Sequence, residues 1–70
     1  MKNRIKELRK QKGLRQEDFA KAVGVTRQTI IAIENNKYDP SLTLAFQLAH
    51  SLGMTVDELF LFEMEGDVKK

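Results

Sequence analysis

The stretch that decides the fold occupies residues 16–35 and reads QEDFAKAVGVTRQTIIAIEN. Gly24 closes an apolar-periodic segment, which is typical of a glycine just past a helix end, where a left-handed backbone is needed. The spacing therefore predicts one helix over about 16–23. A second helix begins after Thr26, whose side-chain oxygen can cap free backbone N–H groups. Because Ala20 leaves room for two steeply crossing helices, the stretch predicts two short helices joined by a tight turn.

Three further helices are predicted outside this stretch. The first runs over about Arg4–Lys12. Another begins after Ser41, which caps it. Its apolar side chains are expected to face the core: Leu42, Ala45, Phe46, Leu48, Ala49 and Leu52. The last opens with a capping box at residues 55–58 and ends near Phe60. The alternating segment 61–65 is compatible with a short strand.

Length and composition indicate one folded module. Seventy residues, 41% of them hydrophobic and 31% charged, suit a single all-α domain over residues 1–70. The chain has no cysteine, which excludes disulfides, thiolate zinc sites and cysteine nucleophiles and favours a reducing compartment, the cytoplasm. No apolar run approaches the roughly 18 residues that a membrane span needs, and no signal-peptide core follows the N-terminus.

The net charge of +2 conceals an asymmetry along the chain. Residues 1–40 hold ten Lys/Arg and five Asp/Glu, whereas residues 41–70 hold two Lys/Arg and five Asp/Glu. A basic half favours a polyanionic partner on one face and leaves a different role for the acidic half. Chance and solubility are the alternative explanation.

Short runs within and around the central stretch match a known pattern. The runs are QEDFA at 16–20, VGVTRQTI at 23–30 and IEN at 33–35. Together they resemble the helix-turn-helix of the Cro/cI-type, XRE-like repressor family, over about residues 4–60. The run NKYDPSL at 36–42 is similar to the short, single-domain, cytolysin-repressor-like members, which bind DNA as dimers. The resemblance implies a five-helix lambda-repressor-like DNA-binding domain with its helix-turn-helix over about 16–35, and it allows a short C-terminal β-strand or arm.

The outward face of the second helix of this motif fits the major groove. At 100° per residue, one face collects four residues: Arg27, Gln28, Ile31 and Ala32. Arginine can contact guanine bidentately, glutamine adenine, and an alkyl group the thymine methyl, so these four are candidates for base contacts. Solvent-facing helix polarity is the alternative for Arg27 and Gln28. A scattered surface residue or an extra core contact is the alternative for Ile31.

Phosphate contacts are expected on either side of that helix, because they set the register without reading sequence. The resemblance assigns Gln16 to the DNA backbone, helped by the dipole at its helix N-terminus. It also assigns the loop after the recognition helix to phosphate contacts: Asn35, Asn36, Lys37 and Tyr38. For Tyr38, packing against the Pro40 turn is an equal alternative.

Arg15 departs from the family pattern, which usually has Ser, Thr or Asn as the helix cap at this position. The missing cap costs roughly 0.5–2 kcal/mol if nothing replaces it. We expect the Arg15 cation to reach a phosphate instead, the alternative being an unimportant surface arginine. Arg9 and Glu34 match a family pair that bridges the first and third helices, and the resemblance implies a structural ion pair.

Apolar residues towards the C-terminus favour a homodimer. Two copies would present their recognition helices about one DNA turn, roughly 34 Å, apart. The predicted interface comprises more apolar area than a chain end buries by itself: Val56, Leu59, Phe60, Leu61, Phe62 and Met64. The last four are expected to form a strand or extended arm in a dimerisation segment over about 56–65. These residues could also fold back over their own core and pair with residues 1–3, and the two arrangements are not exclusive.

The expected partners are double-stranded DNA and a second copy of this chain. The expected function is transcription regulation as a repressor on a palindromic operator. An antitoxin-type DNA-binding component of a toxin pair, and a protein-interaction module that retains the fold, are the alternatives. We expect no enzyme, cofactor, metal site, small-molecule ligand or membrane association. His50 has no second metal ligand at helical spacing and no nucleophile partner, and the C-terminal carboxylates lack a positioning motif.

Overall fold

The computed structural model describes residues 2–61, in which five helices are accompanied by two short strands. In chain order the elements are β1 (Lys2–Asn3), α1 (Ile5–Gln11), α2 (Gln16–Val23), α3 (Arg27–Glu34), α4 (Leu42–Ser51), α5 (Val56–Leu59) and β2 (Phe60–Leu61). All five predicted helices are present, and α2 has the predicted bounds. The expectation of a mostly helical five-helix fold is confirmed.

Side-chain caps fix where three of the helices begin. The Thr26 Oγ1 accepts a backbone N–H of α3 at 3.2 Å. The Ser41 Oγ does the same for α4 at 3.1 Å. The predicted capping box of α5 is formed, with the Glu58 N–H donating to Thr55 Oγ1 at 3.3 Å and the Thr55 N–H donating to Glu58 Oε1 at 2.9 Å. Because each cap satisfies backbone donors left free at a helix start, these boundaries follow from local sequence.

The turn between α2 and α3 depends on Gly24, whose φ is 77°. The Gly24 N–H donates to the Lys21 carbonyl at 3.3 Å, and the Val25 N–H donates to the Ala20 carbonyl at 3.0 Å. This pair of hydrogen bonds is a Schellman motif, which closes a helix with a left-handed residue. Ala20 is buried, and α2 packs against both α3 and α4.

The two strands form one antiparallel pair that joins the ends of the described chain. The register sets Lys2 opposite Leu61 and Asn3 opposite Phe60. The strand compatible with 61–65 therefore begins one residue earlier and pairs with the chain's own N-terminal residues, as the fold-back arrangement expects. Residues 62–65 lie outside the described residues.

All five helices contribute side chains to a single core. Six large side chains are fully buried: Ile5, Phe19, Ile30, Ile33, Leu48 and Leu59. Leu42 and Phe46 differ from the prediction, since they are 70% and 58% exposed. They lie four residues apart along one edge of α4. The apolar face of this helix is therefore wider than the part of it that packs into the core. None of the helices between residues 2 and 61 has the length and apolarity to span a bilayer.

Candidate nucleic-acid interface

The outward face of α3 carries the four residues predicted to contact bases. Arg27 and Gln28, in the first turn, are exposed, and Ile31 and Ala32, one turn later, are half-buried. The opposite face of the helix lies in the core. Two side chains that can donate hydrogen bonds thus stand beside a small apolar surface. Groups of these kinds can contact base edges in a major groove.

A buried ion pair fixes the carboxyl end of α3. The Arg9 Nε donates to Glu34 Oε2 at 2.7 Å, and its Nη2 donates to Oε1 at 3.3 Å. The Arg9 Nη1 donates to the Leu14 carbonyl at 2.8 Å. The two charged side chains are only 7% and 2% exposed, so the bidentate pair is removed from water. The predicted ion pair between the first and third helices is confirmed.

Gln16 is attached to the same carboxylate. Its Nε2 donates to Glu34 Oε1 at 3.1 Å, and the side chain is half-buried at the start of α2. This bond between residues 18 positions apart is not predictable from helical periodicity. It uses one of the two N–H donors of the amide. The bond to Glu34, the last residue of α3, thereby orients the Gln16 side chain.

Arg15 forms a second, exposed ion pair at the N-terminus of α2. Its Nε donates to Asp18 Oδ2 at 3.1 Å, and the two side chains are 76% and 45% exposed. The hydrogen bond from Arg15 lowers the pKa of the Asp18 carboxyl, and the same bond raises the pKa of the guanidinium. As the sequence pattern predicts, α2 has no side-chain cap. Asp18 could have been predicted as the partner of Arg15 from the sequence, because side chains three residues apart on a helix are neighbours.

The loop after α3 presents the remaining predicted phosphate contacts, all of them exposed: Asn35, Asn36, Lys37 and Tyr38. Asn36 has a left-handed backbone with φ of 62°. The Lys37 N–H donates to the Ala32 carbonyl at 2.8 Å, and the Asn36 N–H donates to the Ile33 carbonyl at 3.1 Å. These bonds also form a Schellman motif, with Asn36 in place of the usual glycine. The loop therefore leaves α3 in a defined direction.

Residues predicted for the dimer interface divide into three groups. Leu59 is fully buried and Phe60 is 6% exposed, because α5 and β2 place them in the chain's own core. This corrects the prediction that both belong to free apolar surface. Val56 is half-buried against that core. Leu61 lies in β2 opposite Lys2, while Phe62 and Met64 lie outside the described residues.

Free apolar surface is found instead along α4 and α5. The α4–α5 apolar surface consists of the exposed Leu42 and Phe46 together with the half-buried Val56. It borders an open groove of about 840 Å³. The groove is lined by Phe46, Ala49, His50, Met54, Thr55, Val56, Asp57 and Phe60. The sequence assigned Leu42 and Phe46 to the core, so it missed them as surface residues.

Side chains that could bind a metal ion are not grouped together in the part of the chain that the structure describes. No group of three or more His, Asp or Glu side chains lies close enough there to hold an ion. His50 is exposed on α4.

Comparisons with known proteins agree with this geometry. A family model described as Helix-turn-helix matches residues 5–59. An uncharacterised HTH-type transcriptional regulator of Methanocaldococcus jannaschii, MJ0272, is 54% identical over 63 residues, which cover 90% of this chain and 96% of that protein. The restriction-modification controller protein C.AhdI from Aeromonas hydrophila is 37% identical with a TM-score of 0.75, over 81% of this chain and 86% of that one. SinR, a master regulator for biofilm formation solved in complex with DNA, is 31% identical with a TM-score of 0.70, over 76% and 86%.

The matched span runs from the first residue of α1 to the last residue of α5, so it includes every helix of the fold. It also contains the buried Arg9–Glu34 pair and the exposed face of α3. The resemblance inferred from the sequence is thereby confirmed. The chain belongs to the helix-turn-helix family of transcriptional regulators.

Proposed function

We propose that this protein binds a specific palindromic sequence of duplex DNA as a homodimer and represses transcription from that site. The observation that carries the proposal is the two-sided character of α3. Its outer face holds exposed Arg27 and Gln28, while its inner face is buried and its carboxyl end is held by the Arg9–Glu34 pair. Rigid support of this kind lets side chains meet base edges at fixed distances.

Direct reading of bases falls to the outer face of α3. Arg27 has no carboxylate partner within residues 2–61, so its guanidinium is free to donate bidentately to guanine O6 and N7. Gln28 suits adenine in the same way. Ile31 and Ala32, one turn further on, supply the alkyl surface that contacts a thymine methyl.

Contacts to the DNA backbone are proposed on both sides of α3. On one side stand Gln16 and Arg15, at the N-terminus of α2, where backbone N–H groups and the helix dipole also favour an anion. On the other side stands the loop of residues 35–38, in which Lys37 supplies the cation. Contacts at both ends set the register of the helix along the groove.

Dimerisation is proposed through the segment 56–65 together with the α4–α5 apolar surface. Leu42 and Phe46 are large, exposed and four residues apart, which is unfavourable in water for a small monomer. Val56 continues this surface onto α5. Leu61, Phe62 and Met64 follow in the sequence and are included in the proposed interface, whereas Leu59 and Phe60 support it from within the core.

Repression is the proposed outcome of occupancy. A dimer that covers two half-sites about one helical turn apart excludes other proteins from the same base pairs. This action requires no catalytic step and no bound cofactor. It takes place where the DNA template is, in the cytoplasm.

Selection of bound sites from a random duplex pool tests the proposal. We expect a palindrome whose half-sites are about 10 base pairs apart, bound with strong salt dependence. On that site, Arg27→Ala should lose about 1–3 kcal/mol and relax the preference at one position of each half-site. Lys21→Ala, which removes an exposed cation on α2 outside the proposed contacts, is the matched control and should bind as the wild type does. Absence of salt-sensitive binding to any duplex would refute the proposal.

A further inference from the structure

Asn3 joins three parts of the molecule through one side chain. Its Nδ2 donates to the Ile33 carbonyl at 2.8 Å, near the end of α3. The same atom lies 3.5 Å from Asn36 Oδ1, in the loop that follows. Its Oδ1 accepts the Ile5 N–H at 3.1 Å, at the start of α1. A residue of the N-terminal strand is thus bonded to positions 30 and 33 residues away.

The contact with α3 falls on the atoms that direct the loop of residues 35–38. The Ile33 carbonyl already accepts the Asn36 N–H at 3.1 Å, and a carbonyl oxygen has two lone pairs. The Ile33 carbonyl therefore accepts two hydrogen bonds, one from the Asn36 N–H within the Schellman motif and one from Asn3 Nδ2. Asn36 itself holds a left-handed backbone without being glycine, at φ of 62°. Asparagine adopts this conformation more readily than other residues with a side chain, and the side chain of Asn36 lies beside that of Asn3.

The backbone of Asn3 is in turn held by the C-terminal strand. Asn3 is opposite Phe60 in the β1–β2 pair, and the next N–H, that of Arg4, donates to the Leu59 carbonyl at 2.9 Å. Leu59 and Phe60 are buried, so this attachment is anchored in the core. Asn3 consequently stands between the segment proposed for dimerisation and the end of the helix proposed to read DNA.

We propose that Asn3 is a positioning residue for DNA binding. Its amide holds the carboxyl end of α3 and the loop 35–38 in the orientation that places Lys37 against a phosphate. The β1–β2 pair sets the position of Asn3, so displacement of the C-terminal strand is transmitted to that loop. This inference rests on the proposed function and assigns to it a residue that touches no DNA.

The substitution Asn3→Ser tests it. The serine hydroxyl can still accept the Ile5 N–H two residues ahead, as Asn3 does, but it is too short to donate to Ile33 and adds no charge. At moderate salt, on the selected duplex, we expect affinity to fall about tenfold for a dimer that carries the change twice. The slope of log affinity against log salt should shrink by about 0.9 for each phosphate that the loop no longer reaches.

Two further measurements separate positioning from folding. Amide exchange should accelerate at Asn36 and Lys37 in Asn3→Ser and stay unchanged at Leu52, at the end of α4. Gln47→Gly, which puts glycine at an exposed position inside α4, is the control that lowers stability without touching Asn3 or the proposed contacts, and it should leave the salt slope at the wild-type value. Should Asn3→Ser fail to fold, Asn3→Asp keeps the acceptor, loses the donor, and is read by the same exchange at Asn36 and Lys37.

Each outcome decides the inference. A weaker affinity with a smaller slope and faster loop exchange supports it. Unchanged affinity, or a weaker affinity with an unchanged slope, overturns it. If the wild-type protein binds no duplex, the proposed function is refuted. If the wild-type protein binds and Asn3→Ser binds equally well, only the inference about Asn3 is refuted.

Discussion

Two arginine–carboxylate pairs flank the surface proposed to meet DNA, and they differ in nearly every physical respect. Arg9 and Glu34 join α1 to α3, are 7% and 2% exposed, and share their bonds with Leu14 and Gln16. Arg15 and Asp18 lie three residues apart on one helix turn and are 76% and 45% exposed. The comparison teaches that burial, more than distance, separates an ion pair that fixes a structure from one that water or a phosphate can replace.

Removal of one partner of the buried pair should have the largest effect. Glu34→Ala leaves the Arg9 cation inside the fold without its carboxylate, and we expect a loss of about 3–5 kcal/mol of unfolding free energy. A domain of this size has on the order of 4–10 kcal/mol in total, so the variant should be close to unfolding at 25 °C. Guanidinium titration followed by circular dichroism measures the change.

Glu7→Ala is the matched control, because Glu7 pairs with Arg4 at 3.5 Å on the exposed face of α1. It should change stability by less than about 1 kcal/mol. If Glu34→Ala and Glu7→Ala lose the same amount, burial does not distinguish the two classes of pair, and the comparison fails.

An intermediate effect is expected at the exposed pair, and mainly on binding. Arg15→Ala removes no side-chain cap, since α2 has none, so its unfolding curve should differ only slightly from that of the wild type, by the small contribution of an exposed ion pair. The salt slope of DNA binding should decrease by about 0.9 per protomer if the guanidinium meets a phosphate. Arg4→Ala removes a half-buried arginine outside the proposed interface and should leave the slope unchanged. An Arg15→Ala slope equal to that of the wild type would return Arg15 to the class of ordinary surface arginines.

The smallest effect concerns the pH dependence of the exposed pair. The hydrogen bond from Arg15 lowers the pKa of the Asp18 carboxyl below its ordinary value of 3.8, so the folded state favours the ionised carboxylate. The contribution to stability is present above pH 3.8 and is lost as the pH falls through the lowered folded-state pKa. A double-mutant cycle of Arg15→Ala and Asp18→Asn should show coupling at pH 7 that weakens as the pH falls below 3.8. Coupling that keeps the same size as the pH falls would mean that the two side chains interact by something other than charge.

What the sequence predicted well is what neighbouring residues decide. Thr26, Ser41 and Thr55 begin their helices because each cap bonds to an N–H three residues ahead, and Gly24 ends α2 because the turn needs a positive φ. The split of α3 into an outer and a buried face follows from helical geometry in the same way. The Arg9–Glu34 pair came from the family resemblance, since no local rule connects residues so far apart.

The features that the sequence could not predict depend on which helices and strands pack against each other in the folded chain. Leu42 and Phe46 fit the apolar period of α4, yet they are exposed because no described element covers that edge. Leu59 and Phe60 were expected at an interface and lie in the core, because β2 turns back onto β1. The bonds from Gln16 to Glu34 and from Asn3 to Ile33 follow only from the tertiary arrangement.

The pairing of β1 with β2 has a consequence for biosynthesis. Lys2 and Asn3 leave the ribosome before the other described residues, and they must wait for Phe60 and Leu61 before they find their partners. The helices of the central motif can form from contacts close in sequence while translation continues, but the clasp between the two ends closes only after almost the whole described chain has emerged. A stalled or shortened nascent chain would therefore carry α3 with its Arg9–Glu34 pair, while Asn3, which bonds to the Ile33 carbonyl, is not yet held by β2.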